Sequence, residues 1–518
     1  MVVFDLVIAL LFVGALLSAG ARRLKVPYPT LLALAGAALA LLPGLPSVRL
    51  DPRLALTLFV APVLLDAAFD SSPRDLKKHW RAVTSLALGA VVLTVVAVAL
   101  VARALVPSLS WPEAIALGAI VAPPDAAAAM AVLKQLRPPH RLTVILEGES
   151  LFNDAGALLI YRLAVEATGP SGFSGWSALP MFLLVAAGSV VLGAVLSRVI
   201  VALLDRVEDL ATAVIFQFLS TFLIWSLAEW LKLSGIITMV VFAILVARSV
   251  RTPARLRIPS YAVWEVAVFV LNVLAFILVG LQLKPIVSSL SGGQLLTYAA
   301  TAAAVCATVI VVRIVWVAGV LGVGRLRRRH DPAAESPATA RRSAAVIGWC
   351  GMRGIVTLAA ALALPPTFAH RDLVLFAAFA VVLGTLVVQG GTLGPLLRWL
   401  RLEDDGSVTQ EVQVARAETA RSALSTLHPA DAPGLVALLR RKYEARLRRA
   451  GTAHAEAPVP EGDGMDQYLE ALRRAQAAER QTLFDLRARG VIGDDAFHRV
   501  EEELDWAELS AQSMSRSD

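Results

Sequence analysis

Apolar stretches of about 20 residues follow one another through the first 400 or so residues, and no other feature restricts the fold as strongly. In hydrocarbon a backbone amide has no water to bond, so a stretch of that length is stable only as a helix that satisfies its own amides. With 57% hydrophobic residues, 17% charged residues and a mean hydropathy of +0.68, a water-soluble globular protein is excluded. The expected fold class is an all-α polytopic membrane protein of about thirteen transmembrane helices. Spans 1 to 7 fall at residues 3–19, 30–45, 54–69, 82–106, 112–133, 143–168 and 179–204. Spans 8 to 13 fall at 211–230, 235–247, 262–283, 295–321, 343–364 and 373–400.

The connections test this assignment. Arg22, Arg23 and Lys25 follow span 1, and Arg74, Lys77, Lys78 and Arg81 follow span 3. Lys134, Arg137 and Arg141 follow span 5, Arg206 follows span 7, and Arg251, Arg255 and Arg257 follow span 9. Arg325, Arg327, Arg328, Arg329, Arg341 and Arg342 follow span 11, whereas the even exits hold scattered cations such as Lys232, Lys284 and Arg371. Cations concentrate on the cytoplasmic side of short loops, so the N-terminus is expected outside and the C-terminus in the cytoplasm of a plasma (inner) membrane. The net charge of +7 is thus a matter of topology: the expected partner is the lipid bilayer, and no nucleic acid is expected. The first apolar run has no basic n-region or small-residue cleavage site and is expected to be a retained span. Cys306 and Cys350, both inside apolar runs, are expected to pack, forming neither a disulfide nor a metal site.

Residues 325–342, with Asp331, Pro332 and Pro337, read as a flexible cytoplasmic linker. After Leu400 the composition turns abruptly to Arg, Glu and Ala. The chain therefore divides into a transmembrane domain, 1–400, and a helical cytoplasmic domain, 401–518, with helices expected at 415–425, 433–449, 466–489 and 494–512 around a loop at 451–464. No residue pattern in that tail suggests catalysis, and regulation or assembly is its expected role.

Spans 5 and 6 carry the chemistry. Asp125, Glu147, Glu149, Asn153 and Asp154 sit where a charge costs a few kcal/mol, and such residues normally line a polar path. Pro123 and Pro124 should break the helix beside Asp125 and free carbonyls, that of Pro124 included, to face a cation. In EGESLFND, Glu149 and Asn153 are four apart, as are Ser150 and Asp154, so two adjoining faces present oxygen to one side of the helix. Such oxygens suit a hard monovalent cation, with no sulfur or imidazole to recruit a transition metal and no cofactor required. An acid that holds either the cation or a proton, never both, couples their movements. Otherwise these acids would merely tie helices together through buried polar bonds.

Span 12 reads SAAVIGWCGMRGIVTLAAAL, and Gly348, Gly351 and Gly354 weaken it as the prolines break span 5. The two interrupted spans lie seven apart, the spacing of inverted six-helix repeats separated by one helix. Glycine clusters also serve close helix packing. Arg313 and Arg353 are the buried cations able to offset Glu149. Arg162 and Glu166 read as a local pair; Asp66, Glu229 and Glu265, near span ends, read as interfacial.

The strings GAIVAPPDA, EGESLFND, FVLNVLAFILVGLQL and GWCGMRGIVTLAAALALP, in this order and spacing, resemble the monovalent cation/proton antiporter family that contains the sodium/proton exchangers, in its bacterial branch. The C-terminal VEEELDWAEL resembles the tail common there. The resemblance covers nearly the whole chain. It implies that Asp154 binds cation and proton in turn, with Asn153 beside it, and that Asp125 and Ser150 are further sodium-site positions. It implies that Glu149 pairs with an arginine, Arg313 ahead of Arg353. It also implies two crossed, interrupted helices, and a homodimer in which spans 4–6 and 11–13 move against a dimerisation domain. Asn-Asp in place of Asp-Asp implies electroneutral exchange of one cation for one proton. Many members have Thr-Asp-Pro where this chain has Pro124-Asp125-Ala126, which bears on ion preference.

The expected function is sodium/proton antiport, with potassium or lithium/proton antiport by the same fold as the alternative. Two other classes fit less well. An intramembrane aspartyl protease would pair Asp125 with Asp154, but its Tyr-Asp and Gly-x-Gly-Asp contexts are missing. An ion channel would need a filter of carbonyls or rings of charge, whereas paired broken helices suit alternating access.

Overall fold

In the computed structural model each of the thirteen expected stretches is helical over most of its described length, and among the described residues no strand occurs. The structure describes residues 2–514 except 25, 44–49, 137, 170–174, 208, 250–252, 289–291, 328–336, 403, 428–434 and 449–464. Lys25, Arg137, Arg251, Arg328, Arg329, most of the expected linker and the loop at 451–464 therefore lie outside the described residues, as do the side chains of Arg22, Lys134, Arg325 and Arg327. Among the described residues nine helices are long and apolar enough to cross a membrane, and Tyr28–Ala40 and Gly235–Ser249 are apolar but shorter. The described parts of 325–342 are helical rather than a loose linker: one helix runs to Arg327 and the next starts at Pro337. Proline at the first helical position lacks only an N–H that would be orphaned there in any case.

The helices pack as two groups. Spans 4–6 and 11–13 share one apolar cluster, to which Val95, Leu117, Tyr161, Val305, Ala361 and Leu373 contribute. Spans 1–3 and 7–10 pack chiefly with one another, most heavily span 2 against span 10. Two glycines set that contact. A Cβ on Gly36 would run into the Ile277 carbonyl, and one on Gly280 would meet the Ala33 carbonyl and the Ala37 amide nitrogen. Small residues let two membrane helices approach until their backbones touch.

Spans 3, 4 and 13 each contain a π-helical turn, Leu56–Val60, Ser85–Ala90 and Leu386–Gly390. A π turn slackens the regular i to i−4 ladder. In span 13 the Leu386 carbonyl accepts from the Thr30 hydroxyl of span 2 at 2.8 Å, which ties the two groups together.

The tail forms helices Ser407–Thr426, Leu435–Arg448, Met465–Ala488 and Asp494–Met514. Their apolar faces make two clusters of their own, one around Ala420, Leu439 and Leu472 and one around Val412, Leu483 and Phe497.

Gly280→Ala should lower stability by about 1–3 kcal/mol, because the atoms it would meet are backbone and cannot step aside. Gly20→Ala, with nothing within 4 Å, should not. Thermal unfolding of both variants in detergent checks the contrast.

Candidate cation site

The site is built where two broken helices meet. Ser110 and Glu113 close a capping box at the start of Trp111–Val121, and Pro123 and Pro124 end that helix before Ala126–Leu136 begins. Span 12 breaks between Trp349 and Ile355. The breaks are joined directly, since the Asp125 N–H donates to the Met352 carbonyl at 2.6 Å.

Four helix ends therefore lie together. The two C-terminal ends leave carbonyls without intrahelical donors and carry partial negative charge. The Arg353 guanidinium, 1% exposed, fills that space: Nε donates to Val121 O at 2.9 Å, Nη2 to Ala122 O at 3.0 Å, and Nη1 to Gly351 O. The two N-terminal ends leave N–H groups and partial positive charge. Asp125 serves these, its Oδ1 accepting from the Ala127 N–H at 2.8 Å. Its Oδ2 rests against Gly354, the residue that precedes the second half of span 12. No side chain fits at position 354, because a Cβ would occupy the place of the carboxylate.

This disposition corrects one expectation. Arg353 does not pair with Glu149, because its donors are committed to carbonyls. Arg313 pairs with Glu149 in a two-pronged contact of 2.5 and 2.8 Å, and its Nε donates to the Ile347 carbonyl at 3.1 Å. Both partners are at most 3% exposed. A guanidinium matches a carboxylate in two parallel bonds, so the buried pair is fully bonded.

The helix His140–Ala167 brings Asn153 and Asp154 to the break, 0% and 6% exposed. Asn153 Nδ2 donates to the Pro124 carbonyl at 3.0 Å, so that carbonyl holds the amide in place and keeps one lone pair. Asn153 Oδ1 is buried and has no hydrogen-bond partner. Asp125 lies within Coulombic reach of Asp154. Ser150, half-buried, shares the Asp154 face of the helix. Among the described residues no three His, Cys, Asp or Glu side chains are placed to hold a metal ion together, and the carboxylates near the break are Asp125 and Asp154. Two carboxylates, an amide oxygen and a hydroxyl are hard donors of the kind a small alkali cation takes.

Two contributors escaped the sequence. Tyr28, at the start of span 2, lies within Coulombic reach of Asp125 and packs at an angle against Phe269 and edge-on against Phe276, with centroids 5.7 and 6.4 Å away. Thr385 Oγ1 accepts from the Arg353 N–H at 3.0 Å. A tyrosine at a span start reads as an interfacial anchor and a threonine inside a span as packing, so nothing in the sequence marked either. Arg162 and Glu166, expected as a local pair, are both exposed and make no ion pair.

A family model described as the transmembrane sodium/hydrogen exchanger matches residues 7–399. An uncharacterized Na(+)/H(+) exchanger of Mycobacterium tuberculosis is 31% identical over 531 residues, covering 98% of this chain and 96% of that one. A sodium, potassium, lithium and rubidium/H(+) antiporter of Bacillus pumilus is 31% identical over 424 residues, 78% of this chain and 62% of its own length. The solved sodium proton antiporter MjNhaP1 of Methanocaldococcus jannaschii aligns with a TM-score of 0.59 at 17% identity, over 78% of this chain and 100% of that one, a likeness of fold.

Glu149→Gln should cost about 3–5 kcal/mol, because it leaves the Arg313 cation buried and unpaired, while Glu149→Met with Arg313→Met should recover much of that loss. Melting midpoints of the two variants in detergent check it.

Proposed function

Since the chain belongs to the sodium/hydrogen exchanger family, we propose that it exchanges sodium for protons by alternating access, with the two ions competing for Asp154. One observation carries this reading: Asp154 is buried beside an unpartnered amide oxygen of Asn153, at the meeting of two broken helices. A lone buried carboxylate is stable with a cation or a proton on it and costly with neither. Asp125, Ser150, Asn153 and the Pro124 carbonyl complete the oxygen shell, and sodium is cargo, not a resident cofactor. Glu149 is tied to Arg313 and Asp125 caps a helix, so one acid is left to exchange, one cation for one proton. Such exchange is electroneutral and membrane voltage does not drive it.

In this reading the protein is a homodimer of the plasma membrane, with its N-terminus outside and residues 401–518 in the cytoplasm. Spans 4–6 and 11–13 carry the ion past spans 1–3 and 7–10. Potassium or lithium as the native cation is the second reading. It is favoured by Pro124-Asp125-Ala126, which offers no side-chain hydroxyl, and by the breadth of the ion range in the name of the Bacillus relative.

Everted vesicles loaded with a pH-sensitive dye test both. Adding sodium should drive proton movement that disappears in Asp154→Asn, and potassium and lithium titrations rank the ions. At fixed sodium the rate should fall as the pH is lowered, and more sodium should restore it. Sodium-driven proton flux that survives Asp154→Asn would reject the mechanism.

A further inference from the structure

The tail reaches both packed groups at once. On the side of spans 4–6, Arg74 Nη2 meets Glu411 Oε1 of the first tail helix at 2.5 Å, and its Nη1 donates to the Gly490 carbonyl at 3.0 Å. His140, which opens the helix bearing Asp154, lies between two carboxylates: Nδ1 is 3.1 Å from Asp495 Oδ2 of the last tail helix, and Nε2 is 3.3 Å from Asp75 Oδ2. On the side of spans 9 and 10, Arg257 pairs with Glu501, and its Nε lies 3.4 Å from Asp505 Oδ2. Arg487 Nη1 donates to the Ala247 carbonyl at 3.2 Å, and the His498 ring packs on Tyr261 with centroids 6.4 Å apart.

Asp495 and Glu501 belong to one helix, Asp494–Met514, about 9 Å apart along its axis. That single rigid element is therefore fastened to the helix of the transport site by one residue and to the opposing group by the other. Alternating access moves one bundle against the other, so an element fastened to both resists the movement. We propose that the C-terminal helices form a strap that restrains exchange, and that freeing either end of it lets the protein work faster. The proposal rests on the exchange reading above.

The fastening has a pH range. Both ring nitrogens of His140 face carboxylates, which only the imidazolium satisfies, since both of its nitrogens then donate. Hydrogen bonds to Asp495 and Asp75 outweigh the burial that opposes them, and hold the His140 pKa up at about 10. Asp75 and Asp495 face His140 directly; Arg74 meets Asp75 and Glu411, Lys78 and Arg141 act on His79, which is bonded to the Asp75 carbonyl, and His498 and Arg499 act on Asp495. With its pKa raised, His140 contributes its full hold below the ordinary imidazole range near 6.5 and loses it as the pH rises through about 10. The strap therefore loosens on the alkaline side.

Full-length protein in proteoliposomes, compared with Asp154→Asn as the blank, tests this with Asp495→Asn, Glu501→Gln and the double variant. Each single variant should raise sodium-driven proton flux near neutral pH, and the double variant should raise it further, because Arg74–Glu411 and Arg257–Asp505 still tie the two ends when a single contact is lost. Raising the pH toward 10 should narrow the gap between the wild type and Asp495→Asn. Asp495→Glu, which keeps the carboxylate, should behave as the wild type. Unchanged or reduced flux in the single variants, or in the double variant, would overturn the strap. A wild type without sodium-driven flux would instead overturn the exchange reading beneath it.

Discussion

The architecture depends on how two charges are shared among four helix ends inside the membrane. A helix that stops in hydrocarbon leaves backbone groups that lipid cannot satisfy. Here Arg353 collects the carbonyls of two C-terminal ends, and Asp125 takes an N–H at one N-terminal end while resting against the other. The prolines of span 5 and the glycines of span 12 create the need, and these two side chains meet it. Gly354 belongs to the same arrangement, since the carboxylate lies where its side chain would be.

The same meeting point divides labour among the acids. Glu149 is bonded on both oxygens by Arg313, and the pair holds spans 6 and 11 together. Asp125 is anchored by a backbone N–H. Asp154 has neither kind of partner among the hydrogen bonds of the site, and its neighbour Asn153 is held by Pro124 with its own oxygen left over. In the proposed exchange, Asp154 is the carboxylate whose charge is met by an ion that comes and goes.

The two packed groups differ in how they are held. Spans 2 and 10 touch backbone to backbone through Gly36 and Gly280, a contact with little freedom to slide. Spans 4–6 and 11–13 share an apolar cluster of their own, and a larger one crosses the boundary between the groups. Between the groups run local ties, such as the Thr30 hydroxyl on the π turn of span 13 and the contacts made by the tail.

Most of the architecture was readable in the residues themselves. Hydropathy placed the helices because lipid allows an apolar stretch only one self-sufficient backbone arrangement, and proline placed the first break because it lacks an N–H. The spacing of Glu149, Ser150, Asn153 and Asp154 put four polar groups on adjoining faces because a helix repeats every 3.6 residues. What the residues left open was partnership across the fold. Whether Arg313 or Arg353 met Glu149 turned on which guanidinium the broken ends had already claimed, and no spacing in the chain encodes that. Tyr28, Thr385 and the π turns were invisible for the same reason. The attachment of His140 to Asp495, 355 positions away, exists only because the tail folds back onto the helix of the site. Local order follows from chemistry along the chain, whereas the pairing of charges follows from which ends the packed helices bring together.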